Sequence, residues 1–492
     1  MGIGFLKKTG FLVCTVLAVM ILGTEELRAQ ESIPSSVDNS LLKYFPPLID
    51  QIGGSCAQAS YIGYMFTYEM NRILDRDASA AKDNQFSYLY TWNFINGGED
   101  EGSLGVEGLQ IAFEGGIATE ADFPSQYTSS QFKWTSGYDN YLKAIHYRVK
   151  KIRFFEVLDR AGVDEVRRYL WNRGEEGQPG GIVTFSSRSS GWTIDSNYSG
   201  PSETGYKALL TELAPSGAHA MTIVGYDDTV EFTSPDGKLT HGAFIVCNSW
   251  GTYYYKHDRG RFYLPYWFWE QADRDRSALG AEMVGTDVEY REPKVVFRVN
   301  VDYSSRNDLA FRIGVSNRAS DNAPMHDYAV PVANHQGGDY PMQGNNSSSE
   351  IEFAFDFSSY ISSIDDSAEP KFFLTISRNR RGNIYGEGKI LGFSVYDYRG
   401  PTPKVYSCED IAGTELKSGD NLFSIETVPA KKTSCSPVEW LGTAGQPAAA
   451  PLVLKTADGK YAKLRFSDYD RQKGTIKLKY VYAPDGSRRL ER

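Results

Sequence analysis

Two apolar runs on either side of one strong turn constrain this chain more than any other feature. His219-Ala220-Met221-Thr222-Ile223-Val224-Gly225-Tyr226 and Ala243-Phe244-Ile245-Val246-Cys247-Asn248-Ser249-Trp250 both read as β-strands. Between them, Ser234-Pro235-Asp236-Gly237 carries the residue types of a tight turn. Two such strands pair as an antiparallel hairpin. Counting outward evenly from the turn sets Asn248 opposite Ile223 and His219 opposite Thr252. His219 then stands four positions along the ladder from the residue facing Asn248, roughly 13 Å on an extended strand. A bulge or a looser turn is what would bring these two polar side chains together.

Upstream, the pattern changes to helix. Ile62, Phe66, Met70 and Ile73 recur at helical spacing and predict one buried face, with Gly53 and Gly54 as loop residues before it. Cys56 therefore falls at or near a helix N-terminus. Val163 to Trp171 reads as a further helix, followed by a strand from Gly180 to Phe185. Beyond about residue 290 the pattern is short alternating runs: Val295–Val299, Leu309–Val315, Ile351–Phe357, Phe372–Ile376 and Ile390–Val395, separated by Gly, Asn, Asp and Ser. These predict an antiparallel β-sandwich over residues 291–400. Arg399-Gly400-Pro401-Thr402-Pro403 reads as a linker, and 401–492, with strand-like runs at Tyr461–Phe466 and Thr475–Tyr482, as a small β module or an extension of the sandwich. Residues 30–290 form the mixed block before it. The 32 Tyr, 26 Phe and 47 Gly of the chain agree with a β-rich, turn-rich protein.

The first residues carry an address. Lys7 and Lys8 precede an apolar stretch, Phe11 to Leu22, and a short segment ends at Leu27-Arg28-Ala29. Residues 1–29 read as a secretory signal cleaved after Ala29, which predicts a periplasmic or extracellular protein with no membrane insertion after cleavage. The apolar stretch is short for a bilayer span. Val13 before Cys14 is too large for a lipid-anchor signal. The formal net charge of −10 and the lack of a Lys/Arg run exclude nucleic acid and anionic membrane as expected partners. Of the cysteines left after cleavage, Cys408 and Cys435 could pair in an oxidising compartment, while Cys56 and Cys247 are candidates for free thiols. Cys247 neighbours Asn248 on a strand, so its side chain should enter a core on the opposite face. No Cys/His set has zinc spacing, and no metal or cofactor is expected.

A thiol acyl-transfer site needs an ionisable Cys, a His to take its proton, a third group to orient the imidazole, and donors for the oxyanion. Cys56, His219 and Asn248 supply the first three in order. Gln51-Ile52-Gly53-Gly54-Ser55-Cys56, Ser216-Gly217-Ala218-His219-Ala220 and Cys247-Asn248-Ser249-Trp250-Gly251 resemble the three motif regions of the papain-like cysteine peptidases. Gln85–Tyr90, Gly105–Gly108 and Gly115–Glu120 look like the helical lobe of bacterial members, and Tyr147–Val149 with Gly181–Thr184 like the start of their β lobe. The resemblance covers about residues 44–270.

It implies an α+β protein with a two-lobed papain-like catalytic domain, helical lobe plus β lobe, followed by the C-terminal β-sandwich. It implies Cys56 as nucleophile, His219 as general base and acid, Asn248 as orienter, Gln51 as an oxyanion donor beside the Cys56 N–H, and Trp250 as a shield over the His–Asn bond. The substrate would be a peptide or protein, cleaved through a thioester without a metal. The chain departs from the family pattern in four ways, the first being that the family's usual disulfide partners near the nucleophile are missing. Gln51 precedes Cys56 by five positions instead of six, Ala57 replaces an aromatic, and residues 30–55 are too few for the usual inhibitory propeptide. Two competing functions are a thiol acyl-transferase of transglutaminase or cell-wall amidase type, and a degenerate peptidase lobe that binds through its C-terminal β region. His146, His241, His257, His326 and His335 are read as ordinary surface or structural residues.

Overall fold

The computed structural model describes residues 33–127, 130–254, 256–271, 274–365, 369–378 and 386–427, and the backbone of three strands beyond them. The predicted signal segment 1–29 and Cys435 lie outside these residues. The chain is of mixed α+β class.

Helix begins at Cys56. Cys56–Gln58 is α-helical, Ala59–Phe66 is wound in π register, and Thr67–Leu74 returns to α-helix, ending on Asp75 in the left-handed conformation. Ile62, Phe66 and Met70 are fully buried, but Ile73 is 40% exposed. Ile73 is exposed because it lies in the last turn of the helix, beyond the stretch that its surroundings enclose. Nearly every side chain from Ala57 to Asn71 is in fact buried, so this helix is enclosed on all sides. Two more helices, Tyr88–Ile95 and Gly105–Gly115, pack beside it.

The strands of this half are β1 (Ser36–Asp38), β2 (Tyr147–Glu156), β3 (Val183–Ser190), β4 (Thr193–Asp195), β5 (Leu209–Glu212), β6 (Ser216–Thr233), β7 (Leu239–Cys247), β8 (Arg261–Pro265) and β9 (Leu279–Tyr290). They form one sheet in the order β2-β9-β3-β6-β7-β8-β5-β4, with β1 added alongside β6. Every pairing is antiparallel except β5 with β8. The helix Arg160–Asn172, capped by the Asp159 carboxylate at the N–H groups of Ala161 and Gly162, packs against β6 and β2.

The β6–β7 hairpin carries the site, and its register departs from even pairing. Near the turn Thr233 faces Leu239. Irregularities between Asp227 and Glu231 and between Ile223 and Gly225 then shift the strands, so that Cys247 faces Thr222. Even pairing from the turn would have set Cys247 opposite Val224, and Ile223 pairs with Val246, not Asn248. The partner of His219 is Ser187 on β3, not Thr252. Both irregularities add residues to β6 alone and draw His219 toward the end of β7.

The second half contains β10 (Val295–Tyr303), β11 (Ala310–Ser316), β12 (His326–Ala329), β13 (Glu350–Asp356), β14 (Lys371–Arg378), β15 (Gly388–Asp397), β16 (Lys404–Cys408), β17 (Thr414–Glu415) and β18 (Gly419–Glu426). They form two antiparallel sheets, β13-β10-β15-β16 with β17 on β15, and β12-β11-β14-β18. Phe297 meets Phe372, and Phe311 meets Phe353 and Phe355, so aromatic side chains of the two sheets touch across a common core. Arg399–Pro403, read as a linker, is a turn between the paired strands β15 and β16. The chain from 404 to 426 thus completes these sheets. Three final strands, Leu452–Lys455, Tyr461–Asp470 and Thr475–Ala483, pair only with one another.

Candidate active site

Gly53 and Gly54 set the approach to Cys56. Gly53 adopts φ +52°, and a Cβ there would lie 1.9 Å from Asp100 Oδ1. The Gly54 N–H donates to that same carboxylate oxygen at 2.7 Å, and a Cβ on Gly54 would meet the Glu101 backbone at 2.9 Å. The glycine pair therefore lets the loop seat directly on residues 100–102. Cys56 opens the helix immediately after it.

The Cys56 sulfur lies against the backbone of Ala220, the residue after His219, and the backbone of Cys56 and Ala57 also faces it. One turn further along, Ser60 Oγ donates to the Ala220 carbonyl at 3.0 Å. The first helical turn is thus fastened to β6 at the position of the histidine. Burial pushes the Cys56 thiol up, and the backbone groups at the sulfur act in the opposite direction.

His219 is buried, and its Nε2 lies 2.8 Å from Asn248 Oδ1. The Ser249 backbone N–H donates to the same Oδ1 at 2.8 Å. An N–H donor there identifies that atom as the amide oxygen, so Nε2 must carry the proton of the bond. Nδ1 is left with its lone pair, as a base requires. Burial pulls the imidazole down to about 4, and the Asn248 bond acts against it.

Asn248, Ser249 and Trp250 act as one positioning unit at the end of β7. Asn248 orients the imidazole. Ser249 Oγ donates to Gln51 Oε1 at 2.6 Å, and the Gln51 N–H donates to the Ser249 carbonyl at 2.8 Å. Gln51 Nε2 donates to the Gly53 carbonyl at 2.9 Å, which leaves its second proton available. Trp250 stacks on His219 with ring centres 4.7 Å apart and planes at 25°. Tyr64, fully buried on the π turn, donates to the Asn248 carbonyl at 3.1 Å and accepts the Ile49 N–H. The shorter spacing of Gln51 from Cys56 does not remove it from this network. Cys247 points the other way into the core, fully buried, and burial pushes its thiol up to about 11.

Sequence reasoning missed the aromatic wall around this unit. Trp192, in the turn between β3 and β4 and 2% exposed, packs against Trp250 at 5.5 Å and edge-on to His219 at 6.5 Å. Of the two readings given for His257, surface or structural, the structure supports the structural one. The His257 ring lies parallel to Trp250 on planes 6° apart, touches Trp192, Tyr254 and Phe262, and both its nitrogens are buried without a partner among the described residues. No periodicity marks such loop residues; only the run of aromatics at 253–255 after Trp250 hinted at them. His146, by contrast, bonds the Leu142 carbonyl and Glu292 at the surface. Among the described residues no His, Cys, Asp and Glu cluster has the makings of a metal site, and no helix is long and apolar enough to cross a membrane.

No protein-family model matches the sequence, and no curated protein matches it. Solved structures similar to the chain include xylellain, a cysteine protease from Xylella fastidiosa, at 18% identity and TM-score 0.35, covering 54% of this chain and 90% of that one. A second is the Amb a 11 cysteine protease, a ragweed pollen allergen, in its proform, at 18% identity and TM-score 0.34, covering 53% of this chain and 66% of that one. A third is the bromelain protease from Ananas comosus in complex with the E64 inhibitor, at 13% identity and TM-score 0.33, covering 52% of this chain and 99% of that one.

Proposed function

We propose that this chain is an exported cysteine-type peptidase that hydrolyses peptide bonds through a thioester on Cys56. The observation that carries the proposal is the His219 Nε2–Asn248 Oδ1 bond, with its oxygen identified by the Ser249 N–H, because it leaves Nδ1 as a base next to the strand position that touches the Cys56 sulfur. Sγ attacks the scissile carbonyl carbon and its proton passes to His219 Nδ1. The negative oxygen that develops is met by the Cys56 N–H and the second Nε2 proton of Gln51. The C–N bond breaks as the imidazolium returns its proton to the leaving amine. Water, deprotonated by His219, then attacks the thioester and releases the carboxylic acid and the free thiol.

Burial disfavours an isolated thiolate and an isolated imidazolium alike, so the proton transfer gains by producing both charges together. Asn248 favours the imidazolium because a hydrogen bond to a charged donor is the stronger kind. Trp250, backed by Trp192 and His257, keeps water from competing for that bond. The active domain in this proposal is residues 30–290, laid out as a helical lobe and a β lobe, and the two sheets after residue 291 form a β-sandwich. Peptides or proteins outside the cytoplasm are the substrates, and no metal or cofactor takes part. An epoxide peptide inhibitor that alkylates thiols tests the assignment. It should label the wild-type chain once and leave Cys56→Ala unlabelled and unable to cleave peptides. Labelling and cleavage that persist in Cys56→Ala would refute it.

A further inference from the structure

An open cleft of about 230 Å3 lies beside His219. Ser186, Ser187 and Arg188 of β3 form one wall, Gly217 and Ala218 of β6 another, and Ser277 closes the third. Apart from the imidazole, the apolar groups among these are the Ala218 methyl and the methylene stem of Arg188. Gly217 keeps its wall flat: it adopts φ +82°, and a Cβ would lie 2.3 Å from Ser190 Oγ. An apolar side chain entering this cleft finds short aliphatic surface and no deep apolar pocket, with the guanidinium beside it.

Among the described residues Arg188 is the one charged side chain in the lining, and it is held in place. Nη1 donates to Asp275 Oδ2 at 3.0 Å and Nη2 to Ser277 Oγ at 2.5 Å, while Ser277 Oγ donates onward to Asp275 Oδ1. The backbone is fixed as well, by the Arg188 N–H on the Ala278 carbonyl and by Ser187 Oγ on the Arg188 and Ala278 carbonyls. These bonds use two of the five guanidinium donors. The side chain remains about one-third exposed, so its other donors meet water in the free protein. A leucine laid over them would displace that water and give nothing back, which costs free energy. A carboxylate or carboxamide oxygen would replace the water with a charge-assisted bond. Asp275 offsets part of the positive charge, so the uncharged amide is accepted beside the acid.

We infer that this cleft is a specificity pocket for a substrate side chain bearing a carboxylate or carboxamide, and that Arg188 is the residue that selects it. The inference rests on the peptidase proposal for its meaning but not for its test. Peptides identical except for Asp, Asn or Leu, placed in turn at each position flanking the cleaved bond, are measured in two ways. One is kcat/KM with the wild-type chain, and the other is Kd with Cys56→Ala. At one position Asp and Asn should exceed Leu about tenfold in both measurements, and Arg188→Ala should bring the Asp-to-Leu ratio close to one. Because the ratio compares two peptides on one preparation, partial unfolding of the variant leaves it unchanged. Leu equal to or better than Asp and Asn at every position, or a ratio that survives Arg188→Ala, would overturn the inference. Should the wild type cleave nothing while Cys56→Ala shows the Arg188-dependent preference in binding, the pocket stands and the peptidase proposal falls.

Discussion

Replacing Asn248 by alanine separates orientation of the imidazole from everything else in the site. The 2.8 Å bond from His219 Nε2 disappears, and so does the acceptor of the Ser249 N–H. Asn248 is fully buried and His219 nearly so, so water does not easily replace the lost oxygen. Two buried donors left without an acceptor cost about 1–3 kcal/mol each, and relaxation of the pocket brings the loss of stability to about 2–4 kcal/mol. Catalysis loses for a different reason. The bond is about twice as strong to an imidazolium as to a neutral ring, so its removal raises the barrier more than it weakens the resting enzyme. Freed of its partner, the ring also takes the tautomer with the proton on Nδ1, which has no lone pair for the thiol. Together these predict a fall in kcat of about a hundredfold, equivalent to about 2.7 kcal/mol, with KM little changed. Asn248→Asp restores an acceptor for both donors and adds a negative charge beside His219. It should recover part of the kcat and move the acidic limb of the pH–rate profile to higher pH. Initial rates over substrate concentration and pH measure all of this. An Asn248→Ala variant within threefold of the wild-type kcat, or one changed only in KM, would refute the role given to this bond.

Acid should loosen the fold through its buried bases. Burial holds His219 at about 4 and His257 at about 3, below the ordinary value of 6.5. Both are depressed, so the unfolded chain binds more protons below pH 6.5, and the stabilisation present above that pH is lost as pH falls toward 4 and 3. For His219 alone the loss is about 3 kcal/mol, and His219→Leu should show a smaller drop in melting temperature between pH 7 and pH 4 than the wild type. At the junction with the C-terminal sheets, Asp356→Ala should destabilise the whole chain by about 3–5 kcal/mol in urea unfolding, because Arg148 and Arg291 both pair with that fully buried carboxylate; a loss under about 1 kcal/mol would count against it.

The elements of the site were legible in the sequence because each depends on local patterning. The strand character of 219–226 and 243–247, the turn at 234–237 and the helix after Gly53-Gly54 all follow from residue type and spacing, while the strand read on to Trp250 stops at Cys247. The distance between His219 and Asn248 was not legible. It depends on two bulges in β6, and a bulge is decided by how the strand packs against β1 and β3 on one side and β7 on the other, not by its own residues. Gly225 shows this well: a Cβ there would lie 2.0 Å from the Val37 carbonyl, so the glycine follows from the β1 contact and carries no local signature of a bulge. Ile73 failed for another tertiary reason: the surroundings that enclose residues 57–71 end before the last turn of the helix, and spacing does not mark where they end. Trp192 and His257 escaped because the wall they build is assembled from loops distant in sequence.

The C-terminal sheets are joined to the half that carries the candidate site by more than chain connectivity. Arg148 at the start of β2 is 2% exposed and bonds both Asp356 of β13 and the Phe113 carbonyl of the helix Gly105–Gly115. Arg306, after β10, lies over the Trp134 ring and bonds the Phe132 and Gly337 carbonyls. Residues 336–340 in turn press on the loop at 97–98. The Gly97 N–H donates to the Gln336 carbonyl, and a Cβ on Gly98 would meet the Gly337 carbonyl at 2.9 Å. Two residues further on is Asp100, whose carboxylate holds the Gly54 N–H immediately before Cys56. A continuous line of close packing therefore runs from the second half of the chain to the loop that carries Gln51 and leads into Cys56. A tethered module would leave that loop supported on one side only. Seated as it is, the C-terminal half holds that loop from the other side, and on the proposed mechanism it thereby fixes the donors that would meet the oxyanion.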